Sequence, residues 1–273
     1  MASLDTALAK SSVTATRWRP DFSGTFGPRL SAGLVILLGW ELIARGFAPA
    51  YVAKPTTVLL AIPKALGNPA LLTATASTLT AVAQGLAIAI VFGTLIGLVI
   101  GRSTVADRTL RHYVNGFYAV PMIVILPLVS LWFGYSNGAR LATVVFAAIF
   151  SIIVNVSDGA RTVPREYIEV ARSFRAYRIR TLFDIVLPSA TPYFLAGLRL
   201  AAGRALVGAV VAEFFTAIHG VGYYILYMTR TFRHDEAFVG VLLLTAFCLG
   251  FDALIQWGTR RFLPWYRRDE PPK

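Results

Sequence analysis

The chain has 273 residues, of which 56% are apolar or aromatic and 15% are charged, and its mean hydropathy is +0.63. That charge is too sparse for the surface of a soluble globule, and the apolar residues come in runs near the ~20 that span a bilayer as a helix. The net charge of +12 sits mainly between those runs, where basic residues set orientation and meet anionic lipid; no aromatic–basic module points to nucleic acid.

The expected fold is all-α: a polytopic membrane protein whose apolar runs allow about six transmembrane helices, with the lipid bilayer as its surroundings. Residues 1–29 hold Lys10, Arg17, Arg19 and Arg29 without an apolar run, and read as a cytoplasmic tail rather than a secretory signal. The transmembrane domain is expected over 30–260 and a second cytoplasmic tail over 261–273. A first span over 30–47 carries Glu41 and Arg45 near its far end. Between 48 and 75, Val58, Leu59, Ile62 and Leu66 recur at helical spacing and predict a short surface helix among prolines. The second span, 79–100, places Gly93, Gly97 and Gly101 four apart, which suits close helix contact.

After a short basic loop, a third span is expected over 113–133. Pro121 and Pro127 lie inside it. Proline frees backbone carbonyls and bends a helix, so this span is expected to line a cavity where those groups find partners. A turn over 134–138, a fourth span over 139–157, a polar segment over 158–191, and spans over 192–217 and 237–257 complete the chain. With both termini inside, the inner segments hold 18 Lys or Arg and the outer segments 6, which predicts cytoplasmic ends.

Cys248 is the only cysteine and lies in an apolar run, so no internal disulfide is expected. His112, His219 and His234 are far apart. No metal site and no cofactor are expected. Arg204 falls near the middle of the fifth span and Glu213 nine residues beyond it. An ionisable group at that depth either faces a polar pathway or is paired with another span or a second subunit. Arg199, nearer the inner end, can reach the surface.

The segment 160–191 is the most informative. Thr162 is expected as an N-cap and Pro164 in a first turn, followed by Tyr167, Val170, Ala171 and Phe174 at i, i+3, i+4 and i+7. Glu166 and Glu169 come early and Arg172 and Arg175 late, which suits the helix dipole. A second pattern, Ile179, Leu182, Phe183 and Val186, is expected to stop at Pro188. Such amphipathic helices cap the inner face or enter a partner's groove.

Glu169-Val170-Ala171, Arg175, Ile185 and Leu187-Pro188 keep the spacing of the Glu-Ala-Ala loop, and so the chain resembles permease subunits of bacterial ATP-binding-cassette importers. Pro121, Pro127 and Trp132-Phe133-Gly134 are similar to the nitrate, sulfonate and taurine permeases, as are Gly197-Leu198-Arg199, Ala212-Glu213 and Gly220-Val221-Gly222-Tyr223. The resemblance covers about 30–265. It implies a bacterial inner-membrane permease that pairs with a second permease, expected as a homodimer. Two cytoplasmic ATPase subunits would each grip a coupling helix at Glu169, Val170, Ala171, Phe174 and Arg175. A periplasmic binding protein would deliver a small, anionic solute such as a sulfonate, taurine or nitrate. Arg204, Glu213, Pro121 and Pro127 are the candidate pathway residues. The chain has no Gly-x-x-x-x-Gly-Lys-Ser/Thr loop, so it is not expected to be an enzyme, and ATP hydrolysis is expected on another chain. Arg175 stands where the family loop has glycine; either the turn is ordinary helix or the docking differs. The competing readings are an ion-coupled secondary transporter, disfavoured because no internal repeat or midplane acid cluster is seen, and a membrane-embedded enzyme, disfavoured because no nucleophile–base pair is seen.

Overall fold

A computed structural model of the chain describes residues 26–47 and 52–262. The expectations placed on 1–25 and 263–273 lie outside the described residues. The described residues are helical throughout, in eleven α-helices. Two compact units are separable, 1–50 and 51–273. Within the first, α1 (Phe26–Gly46) is long and apolar enough to cross a membrane, and Arg45 Nε lies 2.5 Å from Glu41 Oε1 one turn back.

The second unit holds α2 (Pro55–Leu66), α3 (Pro69–Arg102), α4 (Thr104–Ala119), α5 (Met122–Phe133) and α6 (Asn137–Arg161). These are followed by α7 (Arg165–Ser173), α8 (Arg178–Thr181), α9 (Leu187–Thr216), α10 (Val221–Arg230) and α11 (His234–Phe262). Including α1, five helices are long and apolar enough to span a bilayer, or six if α4 and α5 make one broken span.

The center of this unit is α6 held between α3 and α9. Leu86 and Ala89 of α3, Val144, Ala148, Ile152 and Val156 of α6, and Ala201, Ala205 and Ala209 of α9 form one buried cluster. Small residues bring the backbones close, which replaces the hydrophobic drive that lipid cannot supply. A Cβ added at Gly93, Gly97 or Gly101 would lie 3.0, 2.8 or 2.6 Å from the Cβ of Ile152, Val156 or Ala160. Gly197 and Gly208 of α9 play the same part against Asn155 and Ala147. A second cluster gathers Val58 of α2, Leu71 of α3, Tyr224 and Met228 of α10, and Val239 of α11. The short α10 was not anticipated in the sequence, where its segment read as a loop.

Three expectations are corrected. The third span is not one bent helix over 113–133. Helix begins at Thr104, breaks at Val120-Pro121, and resumes as α5 at an angle of 101° to α4. Pro121 takes the N-cap of α5, with φ fixed at −62° and ψ 128°, so the chain turns there rather than flexing within a helix. Thr162 is the C-cap of α6, its hydroxyl donating to the Gly159 carbonyl at 2.8 Å; Pro164 is the N-cap of α7. Pro188 does not stop the second pattern. A π turn over Leu182–Val186 carries α8 into α9, and Leu187 N–H donates to the Leu182 carbonyl five residues back. The widened turn accommodates the proline, which has no N–H to give. Helix therefore runs over Ile179–Thr216, 38 residues.

Candidate functional site

Four places hold chemistry: the surface around α7, a charged clip beside it, a cavity at mid-span, and a buried ionic knot at the far ends of α3, α6 and α9.

Helix α7 hangs below α6 on a small cluster of Ala160, Val163 and Val186, with Ile168, Leu182 and Ile185 packed on it. Ala171 is 8% exposed, turned against its own chain, whereas Val170 is 54% and Phe174 83% exposed. Tyr167, Tyr177, Ile179 and Phe183 are also exposed. Tyr167, Val170 and Ala171 line one side of a cleft of about 380 Å³, with Asp184, Ile185 and Pro188 on the other. Glu169 is exposed and Glu166 occupies the first turn. An apolar patch of this kind on a polar segment marks a contact surface.

The helix closes in a Schellman turn. Ala176 N–H donates to the Ala171 carbonyl at 2.9 Å and Arg175 N–H to Arg172 at 2.8 Å, with Arg175 at φ 54°. The turn is therefore not ordinary helix. Arginine occupies the left-handed position that glycine adopts without penalty. Its side chain is exposed.

Beside α7, the start of α4 is clipped to the end of α6. Arg161 pairs with Asp107, Arg111 Nε lies 3.3 Å from Asp107 Oδ1, and Arg111 Nη2 donates to Asp158 Oδ1 at 2.8 Å. The other end of α4 carries Phe117 and Tyr118 and runs into the Pro121 break.

That break borders a cavity of about 330 Å³ between α4, α6 and α9, lined by Phe117, Tyr118, Met122, Phe146, Phe150 and Arg204 among others. The Arg204 guanidinium carbon lies 3.9 Å from the centroid of the Tyr118 ring. Among the described residues, no hydrogen bond or ion pair engages the Arg204 side chain. It is exposed near the middle of α9. Lipid cannot cover such a charge cheaply, so this face needs protein or water against it. The broken backbone at Pro121 has the same need. Pro127, six residues beyond Pro121 in α5, is exposed and does not line the cavity. Arg199 lies with its Nε 2.6 Å from Asp252 Oδ1 of α11, at the edge of a separate apolar cavity of about 460 Å³.

Glu213, expected as a pathway candidate beside Arg204, is instead fully enclosed. Its Oε1 accepts from Thr78 Oγ1 at 2.8 Å and Arg140 Nη1 at 3.2 Å; its Oε2 accepts from Gly222 N–H at 2.8 Å. Arg140 Nη1 also donates to Ser77 Oγ and to the His219 carbonyl, each at 3.0 Å. Here α3, α6, α9 and the turn before α10 are tied together. Gly220 and Gly222 are required by contact: a Cβ at Gly220 would lie 2.1 Å from the Glu213 carboxyl carbon, and one at Gly222 2.8 Å from the Val210 carbonyl. Arg140, at the start of the expected fourth span, belongs to this knot. The acid within a span was the available signal, since a buried carboxylate needs a cation.

The sequence profile described as "binding-protein-dependent transport system inner membrane component" matches residues 89–268. The formylaminopyrimidine transport permease protein ThiX of Halalkalibacterium halodurans is 30% identical, over 86% of this chain and 94% of its own. The taurine transport system permease protein TauC of Escherichia coli is 24% identical over 92% and 94%, and the nitrate import permease protein NrtB of Leptolyngbya laminosa 27% over 87% and 88%. Among solved structures, an inward-facing methionine ABC transporter aligns with TM-score 0.60 at 20% identity, over 73% of this chain and 97% of its own. An amino acid ABC transporter aligns with TM-score 0.61 at 17% identity, over 74% and 98%.

Proposed function

Because the chain belongs to the family of binding-protein-dependent transport system inner membrane components, the multi-pass permease subunits of ATP-binding-cassette importers, we propose that it moves a small anion past Arg204 and is driven through α7. Permeases of this family work with ATPase subunits and binding proteins, and the chain itself is not the catalyst of ATP hydrolysis. The relatives named above carry substrates as different as taurine, nitrate and formylaminopyrimidine, two of them anions or zwitterions with an anionic end.

The observation that carries the reading is Arg204: a mid-span guanidinium on an open face, beside a broken helix, held by one aromatic ring and by no counter-ion among the described residues. Both the charge and the break need cover, and a second copy of the permease facing this surface supplies it while leaving a polar lumen. Glu213 and Arg140 hold the fold rather than the substrate. At the cytoplasmic side, the exposed Val170 and Phe174, with Tyr167 beside them and Glu169 and Arg175 at the rim, form the surface an ATPase subunit grips. Ala171 supports that surface from beneath. The clip from Asp107 to Arg161 then ties the end of α6, from which α7 follows, to α4, whose far end carries Tyr118 onto Arg204. ATP-driven movement of α7 thus has a connected route to the cavity.

The test is uptake by the reconstituted importer with its own ATPase and binding protein. Arg204→Gln is expected to slow anion uptake about tenfold, since a hydrogen bond to a charged group is worth about 1.5–3 kcal/mol and about 1.4 kcal/mol is a factor of ten. ATPase assembly should be unaffected. Normal uptake by that variant would contradict the pathway; loss of the folded subunit would assign Arg204 to the fold.

A further inference from the structure

Four of the eleven residues lining the cavity that holds Arg204 are aromatic, and this bears on which anion it accepts. Phe117 of α4 stacks on Phe150 of α6 with ring centroids 5.8 Å apart and planes at 17°. Phe146 meets both edge-on, at 5.1 Å from Phe150 and 6.4 Å from Phe117. Tyr118 sits under the guanidinium. Four rings and one cation thus surround a space of about 330 Å³, which falls in the range of small-molecule sites. A site for nitrate or a short alkyl sulfonate needs the cation and hydrogen-bond donors but gains little from four rings. Phe117 is half-exposed and Phe146 and Phe150 are only partly buried, so the rings are not fully used in packing this chain.

We propose that the transported solute is an aromatic anion: a planar ring bearing a sulfonate or carboxylate, the ring lying against the open sides of the Phe117, Phe146 and Phe150 cluster and the anionic group on Arg204. The proposal rests on the pathway reading above and refines it to a substrate class. The ring contributes stacked and edge-to-face contacts, which favour an aromatic guest over an alkyl chain of similar area. The Tyr118 ring lies against the guanidinium, its centroid 3.9 Å from the Arg204 guanidinium carbon, and so restrains the side chain before an oxyanion reaches its N–H groups.

The permease–ATPase complex in nanodiscs, without binding protein, isolates this cavity from the specificity of the delivering protein. Binding of radiolabelled benzenesulfonate is measured directly, with ethanesulfonate as competitor, because the two share a headgroup and differ in the ring. Benzenesulfonate is expected to bind saturably and about tenfold more tightly than ethanesulfonate, the size expected of one or two aromatic contacts. Phe150→Leu is expected to bring the two within about twofold of each other by removing those contacts. Phe117→Leu, at a half-exposed position, is expected to act the same way. Arg204→Gln should weaken both probes together. Equal binding of the two sulfonates, an unchanged preference in both phenylalanine variants, or no saturable benzenesulfonate binding would overturn the aromatic assignment. If Arg204→Gln still weakens both probes while no ring preference exists, the pathway stands and only the ring is wrong. If Arg204→Gln changes neither, the pathway reading itself fails.

Discussion

Arg175 holds a left-handed backbone position that costs an L side chain about 1 kcal/mol relative to glycine. Arg175→Gly should therefore firm the end of α7. Amide exchange at Ala176, whose N–H closes the turn on Ala171, should slow about fivefold, the equivalent of about 1 kcal/mol. Unchanged exchange would mean that the turn is held by contacts other than its own backbone. The buried knot gives a second prediction at this scale. Glu213→Ala strands Arg140 and Arg140→Ala strands Glu213, each at a cost of about 3–5 kcal/mol, visible as lost monodisperse protein. Arg140→Met combined with Glu213→Leu should recover part of that yield, since an apolar pair leaves no unpaired charge. If the double variant is worse than either single one, the pair contributes more than mutual neutralisation. The sequence revealed one member of this pair but not its partner. An arginine at the second position of an apolar run looks like a boundary residue until the helices are placed side by side.

Between α3 and α6 the contact is backbone against side chain. Gly97→Ala would put a Cβ 2.8 Å from Val156 Cβ and 2.9 Å from the Ile153 carbonyl, and overpacking of that kind costs about 1–3 kcal/mol. Gly116→Ala in α4 meets nothing within 4 Å and should be neutral or gain up to about 1 kcal/mol from helix propensity. Thermal denaturation of the two variants in one detergent should therefore move in opposite directions or leave only Gly97→Ala lowered; equal shifts would contradict the tight contact. The clip at the start of α4 makes a separate prediction. Asp107→Asn removes the shared partner of Arg161 and Arg111, so α4 should exchange amide hydrogens faster while α6 does not. Stimulation of the ATPase by loaded binding protein should fall although the ATPase remains bound. At this scale the sequence was legible where apolar runs were long and uninterrupted, as in α3, α6 and α11. It misled at prolines, because the same residue can bend a helix, begin one or follow a π turn. Pro121 and Pro164 each stand at the N-cap of a new helix, whereas Pro188 follows a π turn inside a continuous one, and only their hydrogen-bond surroundings tell which.

The basic residues predict that both termini and α7 share the cytoplasmic side. Reporters fused after residue 175 and at the C-terminus should read cytoplasm, and one near Gly138 or Arg230 should read the exterior; an external reading at 175 would separate α7 from any cytoplasmic ATPase. The family and the helical class were legible as spacing around α7 and as apolar runs. The cavity was legible only as a proline-containing span and a mid-span arginine; its rings were not, because Phe117, Tyr118, Phe146 and Phe150 come from α4 and α6 and meet Arg204 of α9 only when the three helices are placed together. The central claim is that α7 passes ATPase movement to the spans. A single cysteine at position 174, in a Cys248→Ser background, allows the contact to be measured by disulfide cross-linking to a cysteine in the ATPase groove. Efficient cross-linking is expected, with a yield that changes on ATP binding, and the linked complex should neither transport nor be stimulated by loaded binding protein. Absence of cross-linking in a complex that assembles and transports would contradict the assignment of α7 as the element the ATPase moves.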